Sequence, residues 1–281
     1  MCGICGIVSL AGGATAERAE RMCAVLAHRG PDSSGVVADG QFALAARRLA
    51  IIDLESGDQP VRNESGSVHV VQNGEILNYA ELRESLARDG HSFTSRGDTE
   101  VIAHLYERHG DDFATRLRGM FAIAIWDAHR RRLVLARDRF GIKPLYYRVH
   151  GTELEFASEL RALPRGEIDL DALEAFLAFN VVPGPLTIFR ECRKLGPGQL
   201  LIWEDGHVRQ QQFANAVPAA AKDVRQGSTA TLADELRETL SDSVRAHLVA
   251  DVPVGVLLSG GVDSGIIAAL AAEASSQPLH T

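Results

Sequence analysis

Met1-Cys2-Gly3-Ile4-Cys5-Gly6 opens the chain, and the rest of the sequence is read outward from these six residues. A cysteine directly behind a trimmed initiator methionine carries a thiol and a free α-amine on one residue. The unperturbed amine titrates at about 7.7–8.0, so near neutral pH a useful fraction is unprotonated and takes the thiol proton. Threonine, serine and cysteine versions of this device run acyl transfer without a neighbouring histidine. Gly3 behind it permits close backbone approach for a bound molecule. The rival reading is a chance terminal cysteine ahead of a buried strand, Gly6-Ile7-Val8-Ser9-Leu10, and only the downstream sequence decides between the two.

The 281 residues suggest about two domains at roughly 150 residues each. A composition 46% hydrophobic and 23% charged excludes wholesale disorder. The formal net charge of −8, with no basic stripe above it, argues against nucleic acid or an anionic membrane as partner. The first cation is Arg18, and Gly3, Gly6, Gly12 and Gly13 interrupt the apolar start. With no signal peptide and no apolar run near ~18 residues, the expectation is a soluble, cytoplasmic protein. Cys2 and Cys5 make a C-x-x-C pair, readable as a redox couple or half a zinc site. No second such pair completes a metal site, so no metal ligands are assigned, and Cys5 and Cys23 read as small buried hydrophobes.

Along the chain, residues 3–10 read as a buried strand and 15–27 as a helix with Ala19, Met22, Cys23 and Leu26 on one face. His28-Arg29-Gly30-Pro31-Asp32-Ser33-Ser34-Gly35 is rich in turn formers and reads as a loop, either plainly solvated or facing a ligand. A strand over 42–46 leads into Arg47-Arg48-Leu49-Ala50-Ile51-Ile52-Asp53. There an arginine offers a bidentate fork for a carboxylate, or is only a surface charge. The β-rich run 68–72 ends in Asn73-Gly74-Glu75. Asn-Gly is a strong hairpin-turn signal, and the same tight turn can aim a side-chain amide and a backbone N–H at one developing oxyanion. Residues 79–88 and 99–107 read as helices, and Asp98 is either a helix-start carboxylate or the counter-charge of a bound ammonium. Two apolar runs, 121–126 and 133–136, form a hairpin whose tip carries the solvated Arg130 to Arg132. Strands follow at 144–147 and 154–157, a helix at 169–179 and short strands across 186–202.

Residues 207–228 are polar or small, without apolar period, and read as a linker. Residues 231–250 then form an amphipathic helix on Leu232, Leu236, Leu240, Val244 and Leu248, with Thr231 and Asp234 resembling a capping box. An apolar run over 251–258 reads as a doubly buried parallel strand. Its last residues, Leu257 and Leu258, run into Ser259-Gly260-Gly261-Val262-Asp263-Ser264 and a helix over 265–274. Strand, glycine-rich turn and helix present backbone N–H groups to phosphate oxygens. Gly255 and Gly260 have P-loop spacing, but Gly261 and Val262 stand where Lys-Ser/Thr belongs, so the turn suits a departing pyrophosphate, with Asp263 for a metal or phosphate network.

Taken together and in order, Cys2 to Val8, His28-Arg29-Gly30-Pro31-Asp32, Arg48-Leu49, Asn73-Gly74-Glu75, Gly97-Asp98-Thr99-Glu100 and Gly119-Met120-Phe121 resemble the glutamine-dependent asparagine synthetases. So do Ala136-Arg137-Asp138, Gly141-Ile142-Lys143-Pro144-Leu145-Tyr146-Tyr147 and Ser259 to Ser264. The resemblance implies an α+β protein: a class II glutamine amidotransferase domain over 2–206, built as a four-layer αββα N-terminal nucleophile hydrolase sandwich. Residues 229–281 would then begin an α/β, doubly wound ATP-pyrophosphatase-type domain. By position, Cys2 would attack the glutamine amide with its own amine as base, and Asn73 and Gly74 would form the oxyanion hole. Arg48 would hold the α-carboxylate and Asp98 the α-ammonium, with Leu49, Ala50, Ile51, Ile52 and Glu75 lining the pocket. Leu257, Leu258, Ser259, Gly260, Gly261, Asp263 and Ser264 would bind nucleotide. The cofactors implied are ATP and Mg²⁺, activating aspartate as an acyl-adenylate, and the partners are glutamine, aspartate and ATP, with a homodimer as the candidate assembly. Leu77 and Val262 depart from the family's usual tyrosine and leucine. In the family the synthetase domain continues well past the equivalent of Thr281, so 228–281 are expected to be unstable as a separate fold. Two alternatives remain: an amidotransferase for another carboxylate, or a non-synthesising glutaminase or regulatory fragment.

Overall fold

The computed structural model describes residues 1–216, 227–275 and 279–281. The chain forms two compact units, Met1–Val217 and Pro218–Thr281. In the first, β1 (Gly3–Ser9), α1 (Ala16–Ala24), β2 (Ser33–Ala38), β3 (Phe42–Arg48), β4 (Val61–Arg62) and β5 (Val68–Ile76) follow in order. Next come α2 (Tyr79–Arg88), α3 (Glu100–His109), a 3-10 turn Gly110–Arg116, β6 (Gly119–Asp127) and β7 (Arg132–Arg137). The unit ends with β8 (Tyr146–His150), β9 (Glu153–Ala157), α4 (Leu170–Phe179), β10 (Cys192–Lys194), β11 (Gln199–Glu204) and β12 (His207–Gln212).

The strands make two six-stranded sheets, ordered β10-β8-β9-β1-β3-β2 and β12-β11-β7-β6-β5-β4. Successive side chains on a strand point to opposite faces, so each sheet has one face for its partner sheet and one for helices. Ile4, Val8, Phe42 and Leu44 of the first sheet meet Val71, Trp126, Leu135 and Trp203 of the second between the sheets. On its outer face the first sheet packs Ile7, Ala43 and Ala45 against Ala19, Met22 and Cys23 of α1. The second packs Val70, Ile123 and Ile125 against Leu86 of α2 and Ile102 and Leu105 of α3. The result is the expected αββα sandwich. Burial on both faces is why the strands read as continuous apolar runs although the pairing is antiparallel.

Several local expectations give way. Asn73-Gly74 makes no turn: it lies inside β5, whose pairing with β6 runs unbroken from Val68↔Asp127 to Ile76↔Gly119. Ladder pairing outweighs a dipeptide preference. Ser33 to Gly35 belong to β2 rather than to a loop. Arg132 is not a solvated tip but buried, its guanidinium donating to Tyr106 Oη at 2.7 Å and to Asp111 Oδ1 at 2.7 Å. Of the linker read over 207–228, residues 207–212 are β12, an exposed edge strand paired with β11; its side chains face solvent, so no apolar period marks it. Residues 217–226 lie outside the described part.

The second unit holds α5 (Thr229–His247) and α6 (Val262–Ala274). Ser228, not Thr231, caps α5, its side chain accepting from the Thr231 amide. Leu236 and Leu240 of α5 and Ile266 and Leu270 of α6 line one groove, flanked by an Arg237–Glu273 ion pair at 2.9 Å. The expected strand over 251–258 is reduced to a single parallel bridge, Gly255↔His280. A doubly buried strand needs neighbours on both edges, and Leu257 is 96% exposed. Among the described residues no helix is long and apolar enough to cross a membrane.

Candidate active site

Cys2 immediately precedes β1, so its position follows from that strand's place in the middle of the first sheet. Three contacts fix its main chain and sulfur. Arg29 Nε donates to the Cys2 carbonyl at 2.9 Å, while the same guanidinium pairs with Glu159. The Leu49 amide donates to Sγ at 3.4 Å. Sγ lies 3.7 Å from the Leu49 carbonyl, within reach of an S–H donor. Gly3 serves packing rather than ligand approach, since a Cβ there would stand 2.9 Å from Leu26 Cβ.

Opposite the sulfur runs the end of β5. Asn73 shares a face with Val71 and therefore points between the sheets, toward the first sheet. Its side chain is fully buried, yet neither Nδ2 nor Oδ1 has a hydrogen-bond partner. Leaving a buried amide unmatched costs about 1–3 kcal/mol, and Asn73 has both of its side-chain polar atoms in that state. Gly74 has φ +148°, and a Cβ there would lie 2.0 Å from the Met120 carbonyl, so no side chain fits.

Gln72, on the other face of β5, reaches Asp98. Asp98 Oδ2 accepts from Gln72 Nε2 at 3.0 Å and from the Ile76 amide at 2.9 Å. Burial pushes its carboxyl up to about 6 despite these donors. Asp98 is thus not the cap of α3, whose preceding residue is Thr99. Arg48, at the end of β3, is nearly buried; Nη2 donates to the carbonyls of Ile52 and Asp53, and Nη1 to Asp58 Oδ1 at 3.1 Å. Three of its five N–H donors are so used, leaving Nε–H and one Nη1–H.

Asp32 Oδ2 accepts from the Ala50 amide at 2.8 Å and pins the loop after Arg48. Asp53, in the left-handed region at φ +55°, accepts from Ser56 and from the Arg96 amide. Burial acts to raise the Asp53 carboxyl, but these donors win and hold it below the usual carboxylate range. The connection 28–32 is therefore a scaffold for the cavity: Arg29 holds the Cys2 main chain and Asp32 the segment after Arg48.

One cavity of about 60 Å³ is lined by Cys2, Arg48, Leu49, Ile51, Ile52, Asn73, Gly74, Glu75 and Asp98. Of the residues expected at this site, only Ala50 is not on its wall; it is tied back by Asp32. Met1 is also on the wall, so the cavity is measured with the initiator methionine in place. Burial pushes the Cys2 thiol up and the Met1 α-amine down. Both shifts keep the proton on sulfur, and the amine concerned is that of Met1 rather than of Cys2, so with Met1 in place thiol-to-amine transfer is disfavoured. Sequence reasoning missed Lys143 and Gln59 on the wall and Gln72 behind it. Burial also pulls the Lys143 ammonium down, and it shares the cavity wall with Cys2. The Gly141 to Tyr147 motif was its available signal.

The nucleotide-binding candidates lie in the other unit. Gly261 precedes α6 with no side-chain cap on the helix. Gly260 has φ +81° with open space around it. Ser264 Oγ lies 2.9 Å from Ser259 Oγ and donates to the Gly261 carbonyl. Asp263 is exposed in the first turn of α6.

A family model described as a glutamine amidotransferase domain matches residues 1–214, and one described as asparagine synthase matches 235–281. The chain is 40% identical over 284 residues to asparagine synthetase [glutamine-hydrolyzing] 1 of Bacillus subtilis, covering 97% of this chain and 44% of that protein. It is 39% identical to asparagine synthetase [glutamine-hydrolyzing] 2 of the same organism, covering 100% of this chain and 40% of that one. The chain thus spans less than half the length of these relatives. A solved structure of glutamine phosphoribosylpyrophosphate amidotransferase from B. subtilis, complexed with ADP and GMP, matches with TM-score 0.56 at 22% identity. It covers 97% of this chain and 64% of that one, a likeness of fold.

Proposed function

The chain belongs to the glutamine amidotransferase domain family over residues 1–214, and from that premise we propose that this unit hydrolyses glutamine to glutamate and ammonia at Cys2. With Met1 removed, the Cys2 amine takes the thiol proton as Sγ attacks the side-chain amide carbon. Asn73 Nδ2 and the Gly74 N–H donate to the oxyanion, and the protonated amine delivers its proton to the leaving nitrogen, releasing ammonia and leaving a thioester. Water activated by the same amine then attacks the thioester, giving glutamate and the free thiol. The two unused Arg48 donors hold the substrate α-carboxylate, and Asp98 holds the α-ammonium. The observation that carries this reading is a thiol and an unmatched, fully buried amide facing one cavity.

In the longer protein of which this sequence is similar to a part, the ammonia would amidate aspartate to asparagine. The turn before α6 suits a polyphosphate, because the helix start is uncapped by side chains and Gly260 leaves its backbone open. Leu257 to Gly261, Asp263 and Ser264 would hold ATP there. Mg²⁺ would be bound largely through phosphate oxygens, with Asp263 the nearby acid. When bound, ATP supplies the phosphoanhydride whose cleavage activates the acceptor carboxylate.

The test is covalent labelling of the 281-residue chain by a glutamine-analogue electrophile, read by peptide mass spectrometry. A single adduct on Cys2, blocked by excess glutamine, is expected. Labelling elsewhere, or labelling that glutamine does not block, overturns the proposal.

A further inference from the structure

Away from the cavity, four side chains from three segments converge on one point. Glu64 follows β4, His91 lies in the connection after α2, and His104 and Glu107 sit three apart on one face of α3. One ligand atom from each lies within 4.8 Å of all the others. His91 Nδ1 is 3.3 Å from Glu64 Oε1 and 4.0 Å from Glu107 Oε2. His104 Nδ1 is 3.2 Å from Glu64 Oε2.

His104 carries the argument. Its side chain is fully buried, with the His91 ring centroid 4.8 Å away and Phe93 edge-on at 4.6 Å. Neither ring nitrogen makes a hydrogen bond; Nδ1, though close to Glu64, is not aligned with it. Nε2 faces Glu100 Oε1 at 3.9 Å, and that carboxylate is held by four donors from Thr94 and Ser95. A carboxylate on the Nε2 side favours the tautomer with its proton there and leaves the Nδ1 lone pair turned toward Glu64 and His91. Metal-binding histidines are oriented by a carboxylate on the second ring nitrogen; Glu100 stands on that side of His104, 3.9 Å away and beyond hydrogen-bond distance. The Ser92 amide donates to Glu64 Oε1 at 2.7 Å and so orients a second member of the set.

We propose that Glu64, His91, His104 and Glu107 form a structural site for a divalent transition metal of the zinc class. Two imidazoles and two carboxylates are a full tetrahedral set for such an ion and a poor one for calcium or magnesium, which take oxygen ligands. Bound there, the ion would tie the β4–β5 connection and the segment after α2 to α3, the helix that Asp98 precedes. The proposal is independent of glutamine hydrolysis.

The test is Zn²⁺ titration of the full chain by calorimetry, repeated in a Cys2→Ala background to remove the thiol at the cavity, and in His91→Ala and Glu107→Gln. The last two positions lie outside the core, so these variants are expected to fold. One zinc per chain is expected with and without Cys2, with affinity falling at least tenfold in each ligand variant and a zinc-dependent rise in Tm that both variants lose. Cobalt(II) in place of zinc should show visible d–d bands without thiolate charge transfer. No uptake, uptake lost with Cys2, or uptake unchanged in His91→Ala and Glu107→Gln overturns the site.

Discussion

Asn73 is the residue at which local sequence signal and structure part most sharply. Asn-Gly read as a turn and, through the same geometry, as a candidate oxyanion donor pair; it was not legible as part of a strand, because the dipeptide's turn preference says nothing about β6 waiting to pair with it. Asn73→Ala is expected to lower kcat for glutamine hydrolysis roughly 10²–10³-fold with little change in KM, since its amide finds a partner only in the transition state. Steady-state glutamate release checks this. Asp98 gives a pH signature. Its carboxyl, raised to about 6, must be ionised to pair with the substrate ammonium. As pH falls through about 6 the free protein loses that charge, so KM for glutamine should climb. Bound ammonium stabilises the carboxylate, so the matching limb in kcat should lie at lower pH. Asp98→Asn should have a high KM at all pH values and no such limb. Gln72 escaped sequence reasoning because its contact with Asp98 joins residues 26 apart, which no local spacing encodes, whereas Lys143 lay within a legible motif, Gly141 to Tyr147, that says nothing of which side chain reaches the cavity.

At the scale of elements, the apolar runs revealed most strands and the 3.6-residue period most helices, with boundaries set by partners. α2 falls at the residues its periodicity indicates. β12 was hidden because an edge strand facing solvent needs no apolar face. The strand expected over 251–258 failed for the complementary reason, an apolar run without neighbours on both edges. Arg132 looked like a loop charge but joins β7 to α3: Tyr106 Oη accepts from Arg132 Nε and donates to Asp127 Oδ2 at 2.9 Å. Tyr106→Phe leaves both partners short of a bond in a buried setting and should cost about 1–3 kcal/mol. Urea unfolding of the variant measures it, and a change below about 0.5 kcal/mol would mean that this network does not join helix to sheet. His104 and the three residues around it were illegible for the same reason as Gln72, since residues 64, 91, 104 and 107 share no motif spacing.

For the whole molecule, the αββα arrangement was foreseen through the resemblance rather than through periodicity, which yields strands but not their order in two sheets. What the fold contributes to chemistry is convergence: the start of β1, the end of β3 and the end of β5 meet at one cavity, with Asp98 ahead of α3 as its far wall. The central claim is that Cys2 acts as an amino-terminal nucleophile with its own α-amine as base. Glutamate release compared between chain shown by intact mass to begin at Cys2 and chain retaining Met1 tests it most directly. The account predicts turnover by the trimmed chain and at least a hundredfold loss when Met1 remains; equal rates from the two would contradict it.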